Sequence, residues 1–303
     1  AELTARLCAL EGAEAGLPMA SGMAALFTVL AGLLNSGDHV VASRSLFGAT
    51  HQLLTTVLPR WGISHTYADC ELTDTWPALF RPETRLCLVE TPSNPGLDVV
   101  DIAALSTAAH EAGALVAVDN TLATPLRQRP LELGADLSVA SATKQLCGHS
   151  DVLLGYVATA EPARLADLRS WRTETGAIPG PFETWLAHRS LATLAVRVDR
   201  QEATAAEVAA MLAARSDVVA SRWPGLGCVI ALDLGTAERA QAFLSASKLV
   251  AEATSFGGVH SSAERRARWG GDDVSPGLVR VSVGLEDPRD LLEDIARALD
   301  RAA

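Results

Sequence analysis

The chain has 303 residues, 49% hydrophobic and 20% charged, the balance of a soluble globular protein long enough for two domains and a large core. A net charge of −11 and the lack of any basic block exclude nucleic acid and anionic membrane surfaces as default partners. No apolar run reaches the roughly 18 residues of a membrane-spanning helix. No secretory leader is expected, and because the first residue is Ala1 the natural start is expected upstream.

In chain order, residues 23–34 read as a buried helix closed by a Gly37-Asp38 turn. Short strands are expected at 39–42 and 85–90, a helix at 102–112 stopped by Gly113, and strands at 114–119 and 137–141. The run Ala114 to Asp119 is apolar until its last residue, the pattern of a strand covered on both faces. Strands separated by helices of this length predict a mostly parallel α/β sheet. Beyond residue 185 the pattern changes to a long Ala-rich helix at 186–212, strands at 229–234 and 278–283 around a helix at 237–249, and a closing helix at 288–302. Residues 1–185 are therefore expected to form an α/β domain and residues 186–303 a smaller α+β domain.

Five cysteines, Cys8, Cys70, Cys87, Cys147 and Cys228, are scattered without a CxxC spacing. They are expected to be free thiols in a reducing cytoplasm, and no metal site is expected. Cys147 reads as a small buried filler.

Only two of the 25 basic residues are lysines, Lys144 and Lys248. Lysine can deprotonate and condense with a carbonyl, which arginine cannot. Lys248 lies in a plain helical context. Lys144 lies in Ser141-Ala142-Thr143-Lys144, just after an expected strand, and the carbonyl to consider is the aldehyde of pyridoxal phosphate (PLP); a surface lysine is the competing reading. Ligands of open α/β sheets bind beyond the carboxyl ends of the strands. Asp119 ends such a strand, and a buried carboxylate needs a cationic partner, for which a protonated pyridine nitrogen is suited. An Asx-type cap with Asn120 and Thr121 is the alternative. Ser21-Gly22-Met23 opens a helix whose free N–H groups can take a phosphate, or is an ordinary helix cap. Ser141 and Thr143 offer hydroxyls to the same phosphate. The prolines of Glu90-Thr91-Pro92-Ser93-Asn94-Pro95 suit a rigid ligand-contacting loop, or loop structure alone.

With these stretches, and with Gly148-His149-Ser150-Asp151, Ser255-Phe256-Gly257-Gly258-Val259 and Arg280-Val281-Ser282-Val283-Gly284-Leu285-Glu286-Asp287, the whole chain resembles the PLP-dependent Cys/Met metabolism enzymes. The resemblance implies the PLP-dependent transferase fold type I. It implies Lys144 as the cofactor-bearing lysine and proton shuttle, and Asp119 as the partner of the pyridine nitrogen. Gly22 and Met23 N–H groups, with Ser141 and Thr143, are implied as phosphate ligands. Arg280 is implied as the clamp on the substrate α-carboxylate, where a bidentate fork suits the chemistry, with Ser255 and Asn94 in support; an exposed strand arginine is what Arg280 would suggest alone. The family ring-stacking Tyr is replaced by Phe47, which stacks but cannot donate a proton.

Phe47 and the stretch Leu58-Pro59-Arg60-Trp61-Gly62 are similar to some sulfhydrylases. The stretches 91–151, 176–181 and 263–271 are similar to bacterial cystathionine γ-lyases. Two family segments are missing: an N-terminal arm with a Tyr-x-Arg motif, and a His-Pro segment between Leu226 and Gly227. The resemblance implies a PLP-dependent carbon–sulfur lyase of the cystathionine γ-lyase type acting on a small amino-acid substrate. Its alternative is a γ-replacement enzyme, an O-acyl-homoserine sulfhydrylase or cystathionine γ-synthase. A cytoplasmic homotetramer of paired active-site dimers is also implied.

Overall fold

The computed structural model describes residues 1–70, 72–269 and 274–302. Two compact units make up the chain. The first comprises Ala1–Asn94, Asp98–Thr143 and Asp151–Leu191; the second comprises Pro95–Leu97, Lys144–Ser150 and Ala192–Ala303.

In the first unit the elements run α1 (Glu2–Glu11), β1 (Ala15–Met19), α2 (Gly22–Leu33), β2 (His39–Ser43), α3 (Gly48–Gln52), β3 (Ser64–Ala68) and β4 (Thr84–Glu90). They continue as α4 (Ile102–Glu111), β5 (Leu115–Asp119), β6 (Leu137–Ala140), β7 (Gly155–Thr159), α5 (Leu165–Thr175) and α6 (Pro181–Ser190). The seven strands form one sheet in the order β1-β7-β6-β5-β4-β2-β3. Only β7 runs antiparallel to its neighbours.

Successive strand residues alternate between two apolar cores, as the pleat requires. Val40, Leu86, Leu88 and Ala117 pack with Val29 and Leu30 of α2 on one face. Val41, Cys87, Val89, Val116 and Val118 pack with Ile102 and Leu105 of α4 on the other. Burial on both faces is why these strands read as continuous apolar runs.

The second unit contains α7 (Leu194–Ala213), β8 (Ala220–Arg222), β9 (Val229–Asp233), α8 (Ala237–Ala246), β10 (Ala251–Glu252), β11 (Ser262–Arg265), β12 (Leu278–Ser282) and α9 (Pro288–Ala302). Its sheet has the order β10-β11-β12-β9-β8 and is antiparallel except for the β10–β11 pair.

Two helices differ from the sequence expectation. The stretch expected as one helix at 186–212 is split by a 3-10 turn at Leu191–Thr193. The helix restarts at Leu194, with Arg197 Nε donating to Thr193 Oγ1 at 3.1 Å. The helix expected at 237–249 stops at Ala246, because the buried Asp294 carboxylate draws the N–H groups of Lys248 and Leu249 out of the helical path, each at 2.9 Å from Oδ2. Lys248 therefore lies in a bend rather than in a helix.

Gly155 opens β7 against the start of α2: a Cβ there would lie 2.2 Å from Ser21 O and 2.7 Å from Gly22 N. Backbone cannot swing aside as a side chain can, so Gly155→Ala is expected to destabilise the fold by about 1–3 kcal/mol. A urea midpoint equal to the parent's would show that the β7–α2 junction is looser than described.

Candidate active site

The parallel strands of the first unit deliver polar residues at their carboxyl ends, where an open α/β sheet binds ligands. β2 leads to Phe47, β4 ends at Glu90, β5 ends at Asp119 and β6 runs into Ser141. These strands are neighbours, and Glu90 stands opposite Asp119 in the ladder.

Asp119 ends the central strand with 7% of its surface exposed. Its Oδ1 accepts the Thr121 N–H at 3.0 Å and the Thr121 hydroxyl at 2.5 Å. Oδ2 accepts no hydrogen bond among the described residues. Burial pushes the Asp119 carboxyl above the ordinary carboxylate range, and the Thr121 bonds only partly oppose it. Such a carboxylate is stabilised by an adjacent cation. The Asx-type turn anticipated as an alternative is present, but it occupies one oxygen only.

Thr121 is a site residue that its type alone did not reveal. Its Oγ1 also accepts the Ser141 N–H at 2.8 Å, tying the end of β6 to Asp119. Ser141 in turn sits on the start of α2, where a Cβ on Gly22 would lie 2.6 Å from Ser141 Cβ. Ser21 caps α2, its Oγ accepting from Ala24 N at 3.0 Å while its carbonyl accepts from Ala25 N. The N–H groups of Gly22 and Met23 are left without an intrahelical acceptor at the positive end of a 12-residue helix.

Thr143 spends its hydroxyl locally, donating to Leu154 O at 3.2 Å and accepting from Leu154 N at 3.0 Å. The Phe47 N–H donates to Glu90 Oε2 at 2.7 Å, while its side chain is 42% exposed. Asn94 is buried.

The second unit contains the remaining residues. Lys144 Nζ donates to Ser255 Oγ at 3.1 Å and lies 5.0 Å from the centre of the Phe256 ring. Arg280, on β12, packs its guanidinium on the same ring, with Cζ 4.9 Å from the centre. Burial lowers the proton affinity of Lys144, the Arg280 charge lowers it further and Glu264 opposes. Arg280 is buried, donating from Nη2 to Thr254 O at 2.6 Å and to Glu264 Oε2 at 2.9 Å. Phe256 and Glu264 were not singled out by residue chemistry, because a ring and a strand carboxylate carry no signal of their own. Of the 263–271 stretch, Gly270 and Gly271 lie outside the described residues.

Each unit by itself fits a part of pyridoxal phosphate. In the first, helix N-terminal N–H groups without an intrahelical acceptor suit the phosphate and a carboxylate in want of a cation suits the pyridinium. In the second, a lysine amine of lowered proton affinity suits the aldehyde. The fold and these residues define a PLP-dependent enzyme of fold type I.

The family model for Cys/Met metabolism PLP-dependent enzymes matches residues 1–300. A Streptomyces coelicolor protein provisionally named a cystathionine gamma-lyase is 52% identical over 95% of this chain and 77% of its own length. The cystathionine gamma-lyase of Bacillus subtilis is 38% identical over 98% of this chain and 85% of its own. The crystal structure of metB from Corynebacterium glutamicum superposes with a TM-score of 0.97 at 35% identity, covering 99% of this chain and 84% of that one. The chain belongs to the Cys/Met metabolism PLP-dependent enzyme family.

A carboxyl whose folded-state pKa is raised destabilises the fold once it ionises. Asp119→Asn, tested on the cofactor-free chain, is therefore expected to raise the melting temperature at pH 8. The gain should shrink as pH falls through the raised pKa and vanish below the ordinary carboxylate range, where Asp119 is protonated in both states. A variant less stable than the parent at pH 8 would show that Asp119 is a structural cap.

Proposed function

We propose that the chain is a carbon–sulfur lyase of the cystathionine γ-lyase type, eliminating a thiol from an amino-acid substrate to leave ammonia and a 2-oxo acid. Its cofactor is pyridoxal phosphate. The observation that carries the reading is the half-buried Lys144 amine, lowered in proton affinity and seated on Ser255 Oγ in the same unit as Arg280. Similarity to cystathionine gamma-lyases supports elimination over replacement.

Bound cofactor supplies an aldehyde for the lysine and a sink for negative charge at the substrate α-carbon. Lys144 Nζ, neutral over a wider pH range than an exposed lysine, takes the proton from the substrate α-carbon and delivers protons onward during elimination. Asp119 keeps a proton on the pyridine nitrogen. The N–H groups of Gly22 and Met23, with Ser141, would hold the phosphate, Thr143 joining them only by releasing its hydroxyl from Leu154 O, and the Phe47 ring would stack on the pyridine. The Arg280 fork takes the α-carboxylate, supported by Ser255 and Asn94.

A second reading, γ-replacement on an acyl-homoserine, is favoured by Phe47 and the stretch Leu58-Pro59-Arg60-Trp61-Gly62, and by similarity to replacement enzymes such as the O-succinylhomoserine sulfhydrylase of Pseudomonas aeruginosa, 36% identical. A phenyl ring has no proton for a departing thiolate, whereas an acyl carboxylate leaves without one. We also assign the chain to the cytoplasm, supported by its free cysteines, and to a homotetramer. The exposed side chains of Ile178, Phe182 and Trp185 support association, with the Phe182 and Trp185 rings stacked at 6.1 Å. Among the described residues no helix is long and apolar enough to cross a membrane.

Borohydride reduction of the holoenzyme followed by peptide mapping is expected to place the pyridoxyl label on Lys144. Lys144→Ala should lose label and turnover together, and Lys248→Ala should keep both. A labelled Lys248, or turnover in the Lys144 variant, would contradict the mechanism.

Phe47→Tyr is expected to speed elimination from cystathionine more than reaction of an acyl-homoserine. Equal effects on both substrates would remove the leaving-group role given to this position. Light scattering should report a tetramer, and a fully active monomer would refute the assembly.

A further inference from the structure

Glu264 has no part in the mechanism above, yet it is the most heavily engaged carboxylate around Arg280. It stands directly opposite Arg280 in the antiparallel β11–β12 ladder, so both side chains leave the same face of the sheet. It is 0% exposed. Its Oε2 accepts from Arg280 Nη2 at 2.9 Å and from Arg266 Nη1 at 3.0 Å. Its Oε1 accepts from the indole N–H of Trp269. Both oxygens are thus committed, and one carboxylate is held by two elements: β12, and the 3-10 turn Arg266–Trp269.

This has a consequence for the Arg280 fork. Nη2 carries two hydrogens, and both are directed, one to Thr254 O and one to Glu264 Oε2. Those bonds set the roll of the guanidinium about its long axis, and the Phe256 ring sets its tilt. Bidentate capture of a carboxylate is sensitive to both angles. An arginine held this way loses little rotamer freedom when a ligand arrives.

We propose that Glu264 is a positioning residue for substrate-carboxylate recognition, braced by Trp269 and acting through Arg280. The proposal rests on the reading of Arg280 as the carboxylate clamp. It also accounts for the turn 266–269. Trp269 is 58% exposed, so its value to the fold as buried surface is small, while its N–H fixes the far oxygen of Glu264.

The test uses the PLP-loaded enzyme and two unreactive ligands that differ only in the α-carboxylate, norleucine and pentylamine, with dissociation constants measured by calorimetry. Glu264→Asp keeps the charge but withdraws the carboxylate by one methylene. It is expected to weaken norleucine about tenfold and pentylamine less than about twofold, the cost of a lost hydrogen bond to a charged group. Trp269→Phe removes only the brace, on an exposed side chain, and is expected to shift norleucine selectively in the same direction; it decides the matter if Glu264→Asp does not fold.

Unchanged norleucine affinity in these variants, or equal weakening of both ligands, overturns the proposal, since a merely structural ion pair cannot distinguish the ligands. Arg280→Lys separates the two levels. If it spares norleucine binding, the Arg280 reading itself fails. If it weakens norleucine while Glu264→Asp does not, only the positioning role fails.

Discussion

A carboxylate at the end of a strand buried on both faces is the constraint around which the first unit is arranged. The inner strands of the sheet are buried almost throughout, so a carboxylate is accommodated where they end. Asp119 occupies that place on the central strand, and burial raises its pKa. The Thr121 hydroxyl and N–H soften that cost without removing it. The same hydroxyl holds Ser141, and Ser141 closes on Gly22 at the start of α2. One line of contacts, hydrogen-bonded from Asp119 to Ser141 and close-packed from there to Gly22, therefore runs from the carboxylate that wants a cation to the helix end that wants an anion. A molecule carrying a pyridinium and a phosphate satisfies both.

In the second unit the same cost of burying a charge moves the proton affinity the other way. Lys144 is pushed toward its neutral form by burial and by Arg280, which is what a nucleophile and proton carrier needs and what a stabilising surface lysine does not. Both units thus keep charges that the fold alone would discard, the usual mark of a functional site. Glu264 tempers the second cluster, offsetting part of the Arg280 charge.

Much of this was legible in the sequence. The runs 85–90 and 114–119 read correctly as strands because two-sided burial removes polar interruptions, and Lys144 and Asp119 were candidates by residue type and place in the chain, against the plain alternatives of a surface lysine and an Asx-type cap. What escaped has physical reasons. β3, Ser64–Ala68, is a polar edge strand whose composition matches a loop. The early end of α8 is dictated by Asp294, which is 46 residues beyond Lys248. Glu264 matters because antiparallel register sets it against Arg280, 16 residues on, and Thr121 because one hydroxyl reaches two strand ends. Register and hydrogen-bond partnership are tertiary facts that residue type does not announce. The departure at Phe47 was legible, and its backbone anchor on Glu90 was not.

The central claim is that Asp119 keeps the pyridine nitrogen protonated and so makes the cofactor an effective electron sink. Nitrogen-15 NMR of the holoenzyme reconstituted with pyridine-labelled pyridoxal phosphate reads that proton directly. The account predicts the resonance of a protonated pyridine in the parent enzyme at pH 8, moving to the unprotonated position in Asp119→Asn with the cofactor still bound. An unprotonated nitrogen in the parent, or a protonated one in the variant, would contradict it.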